Sequence, residues 1–145
     1  MHTAQPLPFR RLPPVSPQTF ADEADRARLS SVALTAFRSL VTIWGLSAPQ
    51  AAALLAVSPS TWERMRRGEA GTRMNQDQLT RVSALVGILK GLRLLFADDL
   101  ADRWPQMANK GAIFGGLSPV AAMVDGGIPR MLEVRRHVDA LRGGM

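Results

Sequence analysis

The chain has 145 residues, of which 46% are apolar, enough to bury the core of one folded domain or of two very small ones. Its 18 basic residues against 12 acidic ones give a formal charge of +6, and 16 of the basic residues are arginine, which favours an anionic partner. The absence of cysteine excludes disulfides, a thiol nucleophile and a thiolate metal site; the polar start is no signal peptide and no apolar run approaches the roughly 18 residues of a membrane span, so a soluble, cytoplasmic protein is expected.

Residues 1–29 read as a flexible arm, with Pro6, Pro8, Pro13, Pro14 and Pro17 around the basic pair Arg10 and Arg11. Such an arm either reaches a minor groove or is an unstructured leader. From Ser30 to Trp44 the apolar residues Leu34, Phe37, Leu40, Val41 and Trp44 recur at helical spacing, and Gly45 follows as a stop. Ser47 and Gln50 form a capping-box pattern that opens a second helix, which buries Leu54 and Leu55 and ends near Ala56 and Val57. Ser58 caps a third helix, with Pro59 at its first position and Gly68 at its close.

Asn75 caps a fourth and longer pattern, in which Leu79, Val82, Leu85, Val86, Ile88, Leu89, Leu92, Leu95 and Phe96 cover more than one face. A helix this apolar is expected to be buried on two sides. The stretch WPQMANKGAIFGGLSP, residues 104–119, then places Trp104 and Phe114 among glycines and prolines, which points to an ordered loop. Trp104 is expected to anchor the end of the long helix and Phe114 to tuck the loop into the core, while Gly115 and Gly116 permit the reversal into Ser118 and Pro119. A short helix ends at Gly126 and Gly127, and a last one begins at Pro129. It sets Met131, Val134, Val138 and Leu141 on one stripe, with Arg130, Arg135, Arg136 and Arg142 mostly off it.

No alternating β-branched stretch occurs, so the fold is expected to be all-α: a small helical bundle with an N-terminal helix-turn-helix and a helical C-terminal domain. Three segments follow: the arm 1–29, the helix-turn-helix domain 30–74 and the C-terminal domain 75–145.

Residues 47–69 are a helix, a tight turn and a second capped helix, the spacing of a helix-turn-helix. On a helical wheel Ser60, Arg64 and Arg67 share a face with Thr61 at its edge, whereas Trp62 and Met65 point the other way. A helix that reads a major groove needs this division into a packing side and a side of hydroxyls and arginines. Residues 30–74 carry five arginines against two glutamates, a net +3, while 75–104 balance to zero. The residues assigned to DNA are Ser58, Ser60, Thr61, Arg64, Arg66 and Arg67. Ala56 stands where a glycine often makes the turn, and Glu63 and Glu69 dilute the positive face. The plain alternative is an arginine-rich exposed helix of a scaffold.

Catalytic chemistry is not indicated. His2 and His137 have no carboxylate at ligand spacing, the acidic residues Asp98, Asp99 and Asp102 read as a solvated helix face, and Gly115–Gly116 lacks the lysine of a phosphate cradle. No catalytic residue, metal site or cofactor is assigned; the expectation is a protein that binds.

The run LTRVSALVGILKGLRLLF, followed by Trp104, Asn109, Phe114-Gly115-Gly116, Ser118-Pro119, Met123, Gly126-Gly127 and VRRHVDALRGG, resembles the C-terminal domain of the MbcA/ParS/Xre antitoxins, partners of RES-domain toxins. Upstream, WGLS from Trp44, the pair Leu54-Leu55 and STWERM from Ser60 are similar to that family's Xre-type helix-turn-helix. The resemblance implies an antitoxin that represses its own operon through operator DNA and clamps a RES toxin, an NAD-depleting enzyme similar to ADP-ribosyltransferases. It further implies that the C-terminal end covers the toxin's active site. Asn109, Lys110, Arg135, Arg136, Arg142, Gly143, Gly144 and Met145 are the residues assigned to the toxin, and a homodimer associating through the long helix is expected. A stand-alone helix-turn-helix transcription regulator, or a toxin clamp that no longer binds DNA, remains as an alternative.

Overall fold

The computed structural model describes residues 17–69 and 73–143; Arg10, Arg11, Gly144 and Met145 lie outside the described residues. Among these the chain is all-helical: α1 Glu23–Ile43, α2 Ala48–Leu55, α3 Pro59–Arg66, α4 Gln76–Leu95, α5 Asp98–Arg103, a 3₁₀ turn Trp104–Gln106, and α6 Pro119–Gly143.

The first helix begins at Glu23, well before the expected Ser30. Asp22 accepts the Asp25 N–H at 3.1 Å, and Glu23 and Asp25 place negative charge in the first turn, where the helix dipole favours it. These early turns are polar, so hydrophobic periodicity does not reveal them. The preceding residues are also fastened: the Arg26 guanidinium donates to the carbonyls of Phe20 and Ala21 at 3.0 and 2.7 Å, and the Gln76 amide donates to Thr19 O at 3.0 Å. Residues 17–29 are therefore built structure, and the boundary expected for the arm moves towards the N-terminus.

Helices α1, α2 and α3 all leave through the same device. A residue one or two positions past the helix has a positive φ, and the N–H after it returns to a carbonyl five residues back: Leu46 to Val41 at 2.9 Å, Val57 to Ala52 at 3.0 Å and Glu69 to Arg64 at 3.0 Å. Gly45 and Gly68 supply that conformation at two of the exits, and Ala56, at φ 60°, ψ 47°, supplies it at the turn between α2 and α3. The alanine thus makes the turn in the conformation that a glycine would take.

One buried cluster runs from Phe37, Leu40 and Trp44 of α1 through Leu54, Leu55 and Trp62 to Val134 and Val138 of α6. Phe37 and Trp62 meet edge to face with ring centroids 5.3 Å apart. Helix α4 is the shared wall, packed against α1 and α6 and touching α2 and α5. Its two apolar sides are thus covered within the chain, and its exposed apolar side chain, Leu94, lies near its C-terminal end. The burial on two sides expected for this helix is met by α1 and α6 without a second copy.

Polar ties also cross residue 75. Arg81 donates to Leu54 O at 3.2 Å, and Gln106 donates to Gly45 O at 3.3 Å while exchanging amide hydrogen bonds with Gln50 at 3.0 and 3.3 Å. Helix α6 is interrupted at Gly127, with φ 64° and ψ −153°, two residues before Pro129. The two expected C-terminal helices are its two halves.

Candidate functional site

The reading helix is set by its cap. Ser58 Oγ accepts the Thr61 N–H at 3.1 Å and donates to Thr61 Oγ1 at 2.9 Å, which fixes the start of α3 just after the left-handed Ala56. Trp62 and Met65 are buried in the core, so the opposite side of α3 must face outward. Ser60, Arg64 and Arg67 are exposed there and Thr61 is half-buried at the edge, as the wheel predicts.

The six residues assigned to DNA divide by what already holds them. Ser58 is committed to the cap. Arg66 donates to both Glu63 carboxylate oxygens, at 2.9 and 3.4 Å, and Arg67 approaches the same carboxylate at 3.7 Å. Arg64 makes a long contact to Thr61 Oγ1, 3.5 Å, and among the described residues has no carboxylate partner. The hydrogen bond from Arg66, with the charges of Arg66 and Arg67 behind it, holds the Glu63 carboxyl below its ordinary range. The same bond pushes the Arg66 guanidinium up. These groups are solvent-exposed, so the pairing orients side chains more than it stabilises the fold.

In the C-terminal half, the loop 107–118 is closed on itself. Asn109 N–H donates to Leu117 O, Gly116 N–H donates to Asn109 O, each at 3.0 Å, and the Asn109 side-chain oxygen accepts the Gly111 N–H at 2.8 Å. Phe114 is buried between Trp104 and His137, both edge-on, at centroid separations of 5.7 and 5.6 Å. Arg130 from α6 donates to Ile113 O, and Ser118 caps α6 by accepting the Ala121 N–H at 3.1 Å. The loop is ordered by its own residues, as expected of Phe114 and the paired glycines, whereas Trp104, expected to anchor the end of the long helix, is separated from α4 by α5 and packs on Phe114.

The residues assigned to a toxin differ in what already holds them. Asn109 spends its side chain on closing the loop, whereas Lys110 is exposed. Arg135 is half-buried and lies across α4: it donates to Ser83 O at 3.3 Å, and its guanidinium occupies the space a Cβ on Gly87 would need. Arg136 is exposed. Arg142 extends along α4 beside Gly91 and faces Asp139 at 3.7 Å. Gly143 ends α6, and Gly144 and Met145 fall outside the described residues. Hydrophobic patterning missed the role of Arg135, whose only signal is the spacing of Gly87 and Gly91 on α4, one turn apart beneath α6.

Among the described residues no group of three histidine or acidic side chains is placed to hold a metal ion. Two of the three acidic residues of α5 are paired: Arg93 grips Asp102 through two hydrogen bonds of 3.0 and 2.9 Å, which raises the arginine's pKa, and Arg103 meets Asp99 at 3.0 Å. No helix among the described residues is long and apolar enough to cross a membrane.

Comparison with known proteins bears on the same elements. Residues 23–87 match the family model of the antitoxin Xre-like helix-turn-helix domain, a span that opens with α1 at Glu23 and ends within α4. An uncharacterized protein of Sinorhizobium fredii (strain NBRC 101917 / NGR234), y4oB, is 34% identical over 122 residues, which is 83% of this chain and 92% of that one. No solved structure matches the chain.

Proposed function

Because the chain belongs to one family with y4oB and carries an antitoxin Xre-like helix-turn-helix domain over residues 23–87, we propose that it is the antitoxin of a type II toxin–antitoxin pair. In this reading it neutralises a RES-domain, NAD-depleting toxin through its C-terminal half, represses its own operon through α3, and acts in the cytoplasm by binding and not by catalysis. One observation carries the reading: the antitoxin-type helix-turn-helix shares an unbroken core with a half that bears the loop of Trp104, Asn109, Phe114 and the paired glycines.

The exposed side of α3 supports the DNA-binding part. Its hydroxyls and arginines stand on a helix whose other side is anchored by Trp62 and Met65. A homodimer suits this role, since two such helices on a two-fold axis read half-sites about 34 Å apart. For the toxin, the C-terminal segment 142–145 is the proposed plug. Its first two residues, Arg142 and Gly143, are the end of α6, which packs on α4.

The test is whether a RES-domain protein is encoded beside this chain and, if so, co-expression of the two. The reading expects restored growth and a complex that survives purification. Persistent growth arrest with no complex would rule out the antitoxin role and leave a stand-alone regulator.

A further inference from the structure

We propose that Glu63 is a specificity-determining residue of the DNA face, acting by withholding Arg66 and Arg67 from DNA phosphates. This rests on the reading of α3 as the DNA-contacting helix. Three arginines lie within four consecutive positions of α3 and its exit, a density that would bind any duplex through its backbone. Glu63 stands among them, with Arg66 on both its oxygens and Arg67 within 3.7 Å of one.

On the helical wheel Arg67 belongs to the reading side with Ser60 and Arg64, whereas Arg66 projects well to one flank. A complex seated in register has little use for Arg66. A tilted complex on random sequence can exploit every loose cation, because binding of that kind is almost wholly electrostatic. The carboxylate therefore weakens random binding more than seated binding. Among the described residues Arg64 has only Thr61 as a partner, which leaves it extended for a base edge, where an arginine takes two acceptors of a guanine. A glutamate carboxyl is charged throughout the neutral range, and the Arg66 hydrogen bond lowers its pKa further.

The experiment measures affinity of the full chain and of Glu63→Gln for the promoter fragment upstream of its own gene and for random duplex DNA, across a range of salt concentrations. Circular dichroism establishes that the variant is folded, and Glu63→Ala repeats the test without the amide. Random DNA is expected to bind the variant roughly tenfold more tightly at low salt, with a salt slope steeper by about one to two, since up to two cations become available to phosphates. The promoter fragment gains less, so discrimination narrows.

Unchanged discrimination, or random binding and a salt slope no different from the parent, would overturn the proposal. So would a loss confined to one promoter base pair, which would make Glu63 a direct reader of a cytosine. If the parent chain binds neither DNA, the failure lies with the DNA-binding reading itself.

Discussion

Gly91 on α4 and Val138 on α6 lie so close that a Cβ added to Gly91 would sit 2.7 Å from Val138 Cγ1. One turn earlier the corresponding point on Gly87 falls 2.6 Å from the Arg135 guanidinium carbon. The two clashes are nearly equal in distance and opposite in consequence. Val138 is a buried, stiff side chain with nowhere to go, whereas Arg135 can swing its far end into solvent. Gly91→Ala should destabilise the fold by about 1–3 kcal/mol through overpacking, despite the better helix former. Gly87→Ala should be neutral or stabilising by up to about 1 kcal/mol as helix propensity offsets the lost bond to Ser83. Urea unfolding of the two variants checks the contrast; equal losses at both sites would contradict it.

The contact between Ser30 and Met74 is a second point of stress. Ser30 Oγ accepts the buried Met74 N–H at 2.9 Å while donating to Arg26 O at 2.6 Å, and Ser30 is itself buried. Ser30→Ala leaves the Met74 N–H without a partner, at a cost of about 1–3 kcal/mol. Thermal unfolding should show the loss, and Ser30→Thr, which keeps the hydroxyl, should show less of it.

How much was legible in the sequence follows from cases such as these. The caps at Ser47, Ser58 and Asn75, the stops at Gly45 and Gly68 and the break before Pro129 act within a few residues, so their pattern is visible locally. Trp62 and Met65 against Ser60, Arg64 and Arg67 is a periodicity, and it located the outward side of α3. What escaped depends on distant partners. The start of α1 is polar and rests on Asp22 and on Gln76, which is 57 residues from Thr19. Arg135 reads as a free basic side chain until Gly87 is seen beneath it. Residue type alone likewise does not show that Arg66 pairs with Glu63 or that the Asn109 side chain accepts the Gly111 N–H.

Ala56 yields a prediction of the opposite sign. It holds a left-handed conformation that an L side chain occupies at a cost of about 1–2 kcal/mol, and it is exposed. Ala56→Gly should therefore raise stability by roughly 1 kcal/mol, the relief of strain being partly offset by greater freedom in the unfolded chain. A lowered unfolding midpoint would show that the methyl group contributes packing at the turn.

For DNA, the double substitution Arg64→Ala with Arg67→Ala removes two cations from the reading side of α3 without touching its buried side. Promoter binding should weaken by tenfold or more and its salt dependence should flatten by about one to two in slope. Neutralisation of the toxin should survive. A normal shift of promoter DNA by this variant would place the reading surface elsewhere.

Helix α6 is held against α4 at Val138 and Arg135, and in the proposed antitoxin the C-terminal residues from Ala140 onward are those that neutralise the toxin. The most direct measurement is growth of cells expressing the RES-domain toxin together with the full chain or with a version ending at Asp139, each assayed in parallel for promoter binding. The shortened chain should fail to restore growth while still binding the promoter. Full restoration of growth by the version ending at Asp139 would contradict the claim that residues 140–145 neutralise the toxin.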